Sequence, residues 1–237
     1  MITTVDTQFP NRFQQESLNL LERLIEVDSS GFYLVGPDMR HSGVVLHNIA
    51  PQAGRDYSQR YQFSDPLHPR HFRHSEVRLV NIDEVIGEPE LLASDYYQSF
   101  MAPMGHRHVT DMFFRRDGDI VAIMTLLRSP ESGPFTTTEL EMLRSLQPFL
   151  EYALNTTYMP ARYRQRDSIQ ERYHLTAREL DVVERVVSGA SNKHIARDLS
   201  LGLATVKTHL QHIFHKMEVT SRTALSARVL RELGADN

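Results

Sequence analysis

The sequence predicts an α+β chain in two parts: an N-terminal α/β sandwich over residues 1–155 and an all-α four-helix bundle over 173–237, joined by a linker at 156–172. Three observations lead there. The hydrophobic pattern mixes strand and helix periods in the first part and is helical throughout the second. Residues 155–174, NTTYMPARYRQRDSIQERYH, are polar and basic, contain a proline and lack a sustained apolar stripe. Charge also changes sign across this stretch. The first 160 residues carry 13 Arg against 21 Asp/Glu, whereas 171–237 carry ten Lys/Arg against eight acids, so a total of −4 conceals a basic C-terminal part.

Taken in order, NRFQQESLNLLERLIEV places Phe13, Ser17, Leu20, Leu21, Leu24 and Val27 at helical spacing. GFYLVG and GVVLHNI are short β-rich runs bounded by Gly, Pro and polar residues, and read as strands. HVTDMFFRR and DIVAIMTLLR are two more, joined at Asp117-Gly118, a strong hairpin signal. TTTELEMLRSLQPFLEYALN reads as a long helix, opened by a capping box of Thr136 and Glu139 and bent at Pro148. In the second part, LTARELDVVERVVSG starts with a second capping box, Thr176 and Glu179, stapled by Leu175 and Leu180 and closed by Gly189. NKHIARDLS is a short helix, and SRTALSARVLREL closes the bundle.

The most informative stretch is LATVKTHLQHIFHKM. All three lysines of the chain, Lys193, Lys207 and Lys216, lie in or near it. Val206, Leu210, Ile213, Phe214 and Met217 make a buried stripe, which leaves Lys207, Thr208, Gln211, His212 and His215 outside. Thr208, Gln211 and His215 lie three and four residues apart and form one exposed line flanked by Lys207. Hydroxyl and amide groups beside a cation on a short helix suit a DNA major groove, where polar groups read base edges and cations meet phosphate. The preceding helix and the turn at Leu201-Gly202 supply the first half of a helix-turn-helix. A plain amphipathic helix with a solvated face would show the same pattern.

Residues 175–225 resemble the DNA-binding domain of LuxR-type transcriptional regulators without gaps, through Leu175, Thr176, Arg178, Glu179, Gly189, Lys193, Ile195, Ala196, Val206, Lys207, Ile213, Lys216, Arg222 and Ala224 among others. His194 departs from the family's usual Glu, and Gly202 from its usual Ser at the N-cap. The resemblance implies base-facing roles for Lys207, Thr208 and Gln211, and phosphate-facing roles for Lys193, Thr205, Lys216 and Arg222. It also implies dimer contact through the last helix, where Ala224 and Ala227 allow close approach. The implied function is sequence-specific regulation of transcription, with double-stranded DNA and a second copy of the chain as partners.

The first part resembles the GAF/PAS-like sensory domains attached to many such regulators, through SDPL, YYQSFMAPMGHRHVTDMFF and LLRSPESGPFTTTELEMLRSLQPFLEYAL. That implies a small-molecule effector between sheet and helices, near Tyr57, Tyr61, Phe63, Tyr96, Tyr97, Phe100 and Met104. Tyr57, Tyr61, Asp65 and Tyr97 are the candidate ligand residues; core packing at i, i+4 would also account for Tyr57 and Tyr61, and a turn or helix cap before Pro66 for Asp65. YSQRYQFSDPLHP also resembles the pocket of acyl-homoserine-lactone receptors, but that pocket uses tryptophan and this chain has none. A receiver domain would need an acidic pair after its first strand, and FYLVG is followed by none. Dimerisation is expected along Leu143 and Leu150, with Arg162, Arg164 and Arg166 in the linker contacting either DNA or the acidic first part.

The composition narrows the remaining classes. There is no cysteine, hence no disulfide framework or thiolate zinc site, in keeping with a cytoplasmic location. The opening MITTVDTQFP does not read as a signal peptide, and no apolar run approaches the roughly 18 residues of a membrane helix. His68, His71 and His74 recur every third residue, but without thiolate or acidic partners at ligand spacing they read as exposed, Arg-interleaved imidazoles, so no metal or other cofactor is expected. No phosphate loop, nucleophile elbow or paired-carboxylate motif marks an enzyme. An enzyme-like first part remains the weakest alternative.

Overall fold

A computed structural model describes residues 12–36, 39, 41–187, 189–199 and 201–235. The segment MITTVDTQFP lies outside them. The chain divides into two compact units, with residues 12–156 in one and 157 onward in the other.

The first unit is a five-stranded antiparallel sheet of order β2-β1-β5-β4-β3. It is made of β1 (Ser29–Val35), β2 (His41–His47), β3 (Leu79–Asn81), β4 (His108–Arg116) and β5 (Asp119–Arg128). β4 and β5 pair over nearly their whole length from Arg116↔Asp119. The turn between them is Asp117-Gly118, both at positive φ, as the tightest hairpins require. Strand alternation gives the sheet two faces. One carries Phe32, Phe114, Met112 and Met124 and packs under α1 (Arg12–Leu24) and α5 (Thr137–Ala153), with Phe32 stacked on Phe114 at 5.6 Å. The other carries Tyr33, Val80, Val109, Asp111, Phe113, Ile123 and Leu127. It packs in one core with residues of α2 (Pro51–Gln59), α3 (Ile82–Val85), α4 (Glu88–Ala93) and the irregular helical turns Tyr61–Phe63 and Tyr97–Met101. This is an α+β sandwich, the architecture expected for the first part. β3, α3 and α4 had no counterpart in the sequence reading.

α5 opens with the expected capping box. Thr136 Oγ1 accepts from the Glu139 N–H, and Glu139 accepts from the Thr136 N–H. The same Glu139 pairs with Arg128, fixing the helix start to the end of the central strand β5.

One expectation about α5 needs correction. Leu143 and Leu150 are 0% and 3% exposed, so they are core residues of the unit and cannot form a dimer surface. The large apolar side chains α5 presents outward are Phe149 and Tyr152, at 66% and 67% exposure.

The second unit is all-helical, with α6 (Met159–Arg172), α7 (Ala177–Val187), α8 (Asn192–Asp198), α9 (Leu203–Lys216) and α10 (Arg222–Ala235). α6 occupies the stretch read as a linker and adds a fifth described helix to the expected four. Its Ile169, with Tyr173 just beyond it, joins the core of Leu180, Val183, Ile195, Val206, Leu210, Ile213, Leu225 and Val229. Arg162 and Arg166 reach the buried Glu184 of α7, and Arg166 also reaches Asp181. These two arginines therefore tie α6 to α7, in place of the DNA or first-part contacts expected of them. α7 ends at Gly189 (φ +77°), where Gly189 and Ala190 N–H groups return to the Val186 and Arg185 carbonyls in a Schellman cap.

Candidate nucleic-acid interface and ligand site

α9 buries Val206, Leu210, Ile213 and Met217 and half-buries Phe214, the stripe expected from the sequence. Thr205, Lys207, Thr208, Gln211, His212 and His215 are exposed on its other side, and Lys193 is exposed at the start of α8. Thr208 Oγ1 also donates to the Ala204 carbonyl at 3.2 Å, which fixes its rotamer. Gly202 caps α9 with extended backbone and no side-chain bond. α8 is capped by Ser191, whose hydroxyl accepts from the His194 N–H.

Besides Thr208, two cations among the seven residues expected to contact DNA have partners inside the unit. Lys216 Nζ donates to Glu179 at 2.7 Å and to the His174 carbonyl at 2.9 Å. Arg222 donates to Asn192 Oδ1 at 3.0 Å and to the Ala190 carbonyl at 2.6 Å. Each cation bolts one helix end to a neighbouring turn. Glu179 is itself buried and completes the expected Thr176 capping box. Burial raises its pKa, but the Lys216 ammonium and the Thr176 donors outweigh that and hold it below the ordinary glutamate value. On α10, Ala227 is exposed and Ala224 half-buried, with Leu230 41% exposed beside them.

In the first unit, Tyr57 donates to Asp65 at 2.5 Å, and the Leu67 N–H donates to the other carboxyl oxygen at 2.8 Å. Asp65 is buried, so its role exceeds that of a surface turn. Tyr61 is buried against Phe100 with ring centroids 4.8 Å apart, and Tyr97 is half-buried at the edge of the same core. Tyr61 and Phe100 also line a groove of about 660 Å³ together with Arg60, Met104 and His106. Phe63, expected in the pocket, is instead 66% exposed beneath the Arg70 guanidinium.

The structure adds residues that the sequence reading passed over. Tyr96 hydrogen-bonds Asp65, and Thr125 hydrogen-bonds Asp111. The His41 ring meets three others, tilted on Tyr33 at 5.0 Å and stacked on Tyr57 and His68 at 5.4 and 6.0 Å. His68 was expected to be solvated. It is 4% exposed, and its Nδ1 accepts from the Arg70 N–H. Burial, with the nearby Arg70 charge, lowers its pKa to about 4, and burial lowers that of His41 to about 3. Both imidazoles are therefore neutral at pH 7. The signal for Asp111 was an acid directly before the apolar run Met112-Phe113-Phe114 of β4. Among the described residues, no group of three or more His, Asp or Glu side chains has metal-binding geometry.

Residues 173–229 match the family described as bacterial regulatory proteins, luxR family. A monoamine regulon transcriptional regulator of Klebsiella aerogenes is 36% identical to this chain over 217 residues, spanning 89% of this chain and 87% of that protein. The chain belongs to the luxR family of bacterial regulatory proteins. As a member it is a DNA-binding transcriptional regulator. Its family domain alone is shared with the nitrate/nitrite response regulator NarP of Escherichia coli, 43% identical over 61 residues, 26% of this chain and 28% of that one. The likeness of the first unit is one of fold. A domain of a protein described as a two-component sensor histidine kinase from Sinorhizobium meliloti superposes with a TM-score of 0.50 at 11% identity, covering 66% of this chain and 97% of that one. No described helix of this luxR-family chain is long and apolar enough to cross a membrane.

Proposed function

We propose that this luxR-family chain works in the cytoplasm as a homodimer that binds a two-half-site operator through α9 and is controlled by a small molecule held in its first unit. The observation that carries the DNA-reading part is the exposed line of Lys207, Thr208 and Gln211 on a helix whose opposite side is fully committed to the core. In this reading those three side chains meet base edges, and Thr205 and Lys193 meet phosphates. Lys216 and Arg222 act indirectly, by holding the ends of α9 and α10 in place.

Two exposed apolar patches support pairing: Phe149 with Tyr152 on α5, and Ala227 with Leu230 on α10. The relative's name attaches it to a monoamine regulon, so promoters of amine-utilisation genes are the first DNA to try. The test is selection of bound duplexes from a random library by the full chain. Enrichment of a site with two half-sites about 10 base pairs apart is expected. Absence of any enriched sequence, at low as well as physiological salt, would refute the reading.

A further inference from the structure

Among the described residues, the second carboxyl in the core of the first unit has no counter-charge. Asp65 and Asp111 are both 6% exposed and lie close enough that the charge on Asp65 raises the pKa of Asp111. Asp65 is well provided for by Tyr57, Tyr96 and the Leu67 N–H. Asp111 receives Thr125 on one side only, and its Oδ1 is buried without a hydrogen-bond partner. A buried carboxyl oxygen left unmatched costs roughly 1–3 kcal/mol, more if charged, and proteins rarely retain one without use.

What surrounds the pair decides what would match it. The buried His68 and the half-buried His41 stay neutral at pH 7 and offer no compensating charge. The walls are aromatic: Tyr33, Tyr57 and Tyr96 face the acids electrostatically, and Phe100 packs on Tyr57 and Tyr96 at 5.7 and 5.6 Å. Gly31 lies directly under the Tyr33 hydroxyl, where an added Cβ would come within 2.7 Å, so the absence of a side chain there is what lets Tyr33 lie over the sheet. Carboxylates among aromatic side chains suit an organic ammonium, whose N–H groups donate charge-assisted hydrogen bonds to them while its apolar part packs on the rings. A bare divalent ion would need several more oxygen ligands than this core supplies.

We infer that Asp111 and Asp65, within the cage of Tyr33, Tyr57 and Tyr96, form the recognition site for the ammonium group of a small primary amine whose apolar part lies against the aromatic core. The inference rests on the effector reading above and names the chemical class of that effector. Burial, with the nearby Asp65 charge, raises the pKa of Asp111 and disfavours its charged form in the unliganded core. A bound ammonium supplies the missing counter-charge and favours the carboxylate, and any proton Asp111 holds leaves to solvent.

The test uses the full chain and two probes of nearly equal shape, 2-phenylethylamine and the uncharged 2-phenylethanol, in thermal-shift titrations to 10 mM. The amine should raise the melting temperature by about 2 °C or more, and the alcohol should leave it within error. Asp111→Asn keeps the shape and the Thr125 contact but removes the charge, and should abolish the amine shift without lowering the melting temperature of the free protein. If that variant fails to fold, Asp65→Asn gives the same reading. The Lys207→Ala variant should keep the amine shift intact. No shift with the amine, an equal shift with the alcohol, an Asp111→Asn protein that responds like wild type, or a shift given by magnesium chloride instead would each overturn the inference. Titration of the same preparations with the selected operator separates the outcomes, since intact operator binding beside a missing amine shift removes the amine site alone.

Discussion

Replacing Lys216 by Met separates two accounts of that lysine. If its main work is to hold Glu179, the substitution strips a buried carboxylate of its counter-ion. Glu179 is 4% exposed at its side chain, and its oxygen lies 2.7 Å from Nζ. At an effective dielectric near 20, that separation corresponds to a gross attraction of about 6 kcal/mol. Lys216 is 31% exposed, and the Thr176 donors remain, so much of the loss is recovered by solvent and by those bonds. A net destabilisation of about 2–3 kcal/mol follows, at the low end for a broken buried pair. For a chain of this size that lowers the melting temperature by about 5–10 °C, readable by differential scanning calorimetry.

The double variant Lys216→Met with Glu179→Met removes both charges and should regain most of the loss. The pH dependence has a definite sign. Glu179 has a depressed folded pKa, so the pair stabilises above the unfolded glutamate value near 4.3, and the benefit disappears as pH falls below it. An unchanged melting temperature at pH 7, together with a weakened and flatter salt dependence of DNA binding, would refute the reasoning and return Lys216 to a phosphate role.

Glu184→Gln weakens the anchor for Arg162 and Arg166, and should loosen α6 from α7, seen as faster amide hydrogen exchange over 162–172 with α9 unaffected. Gly202→Ser supplies the missing N-cap oxygen at a residue with negative φ, and should raise stability by a few tenths of a kcal/mol in urea melts; a Cβ there meets Thr205 Oγ1 at 3.4 Å, which leaves room. His41 has a folded pKa lowered to about 3, so stability should be full above pH 6.5 and fall by up to about 1.4 kcal/mol per pH unit below it, and His41→Asn should flatten that slope in pH-dependent melts. Phe149→Glu and Leu230→Glu should shift the chain toward monomer in sedimentation without lowering its melting temperature, because both side chains are exposed.

The parts of the fold that were legible share one cause: their determinants are local. The stripe of α9, the capping boxes of α5 and α7 and the hairpin at Asp117-Gly118 depend on residues within one or two turns of each other. α6 was missed because arginines reaching a buried glutamate on another helix, together with only Ile169 and Tyr173, hold it in place, so it carries no apolar period to detect. Leu143 and Leu150 were recognised as an apolar face, but periodicity does not say what covers a face; here the sheet does, and Phe149 and Tyr152 are left outside.

The candidate ligand core was half legible. Tyr57 and Asp65 lie close in sequence, whereas Asp111, Thr125 and Tyr33 come together only through strand pairing. His68 looked solvated because arginines flank it, yet it is buried in a ring stack with His41, 27 positions earlier. In the DNA-reading unit the exposed line was visible from spacing, but the internal partners of Lys216 and Arg222 lie 30 to 42 residues away and were not.

The central claim is that the exposed side of α9 reads DNA sequence. Its most direct test is a fluorescence-anisotropy titration of the full chain against the selected operator and a scrambled duplex, across a salt series. The account predicts tight, salt-sensitive operator binding that Lys207→Ala with Gln211→Ala reduces to the level of the scrambled duplex, a loss of about 2–5 kcal/mol for two base contacts. Lys193→Ala should instead weaken both duplexes alike. A double variant that folds normally and still prefers the operator as strongly as wild type would contradict the account.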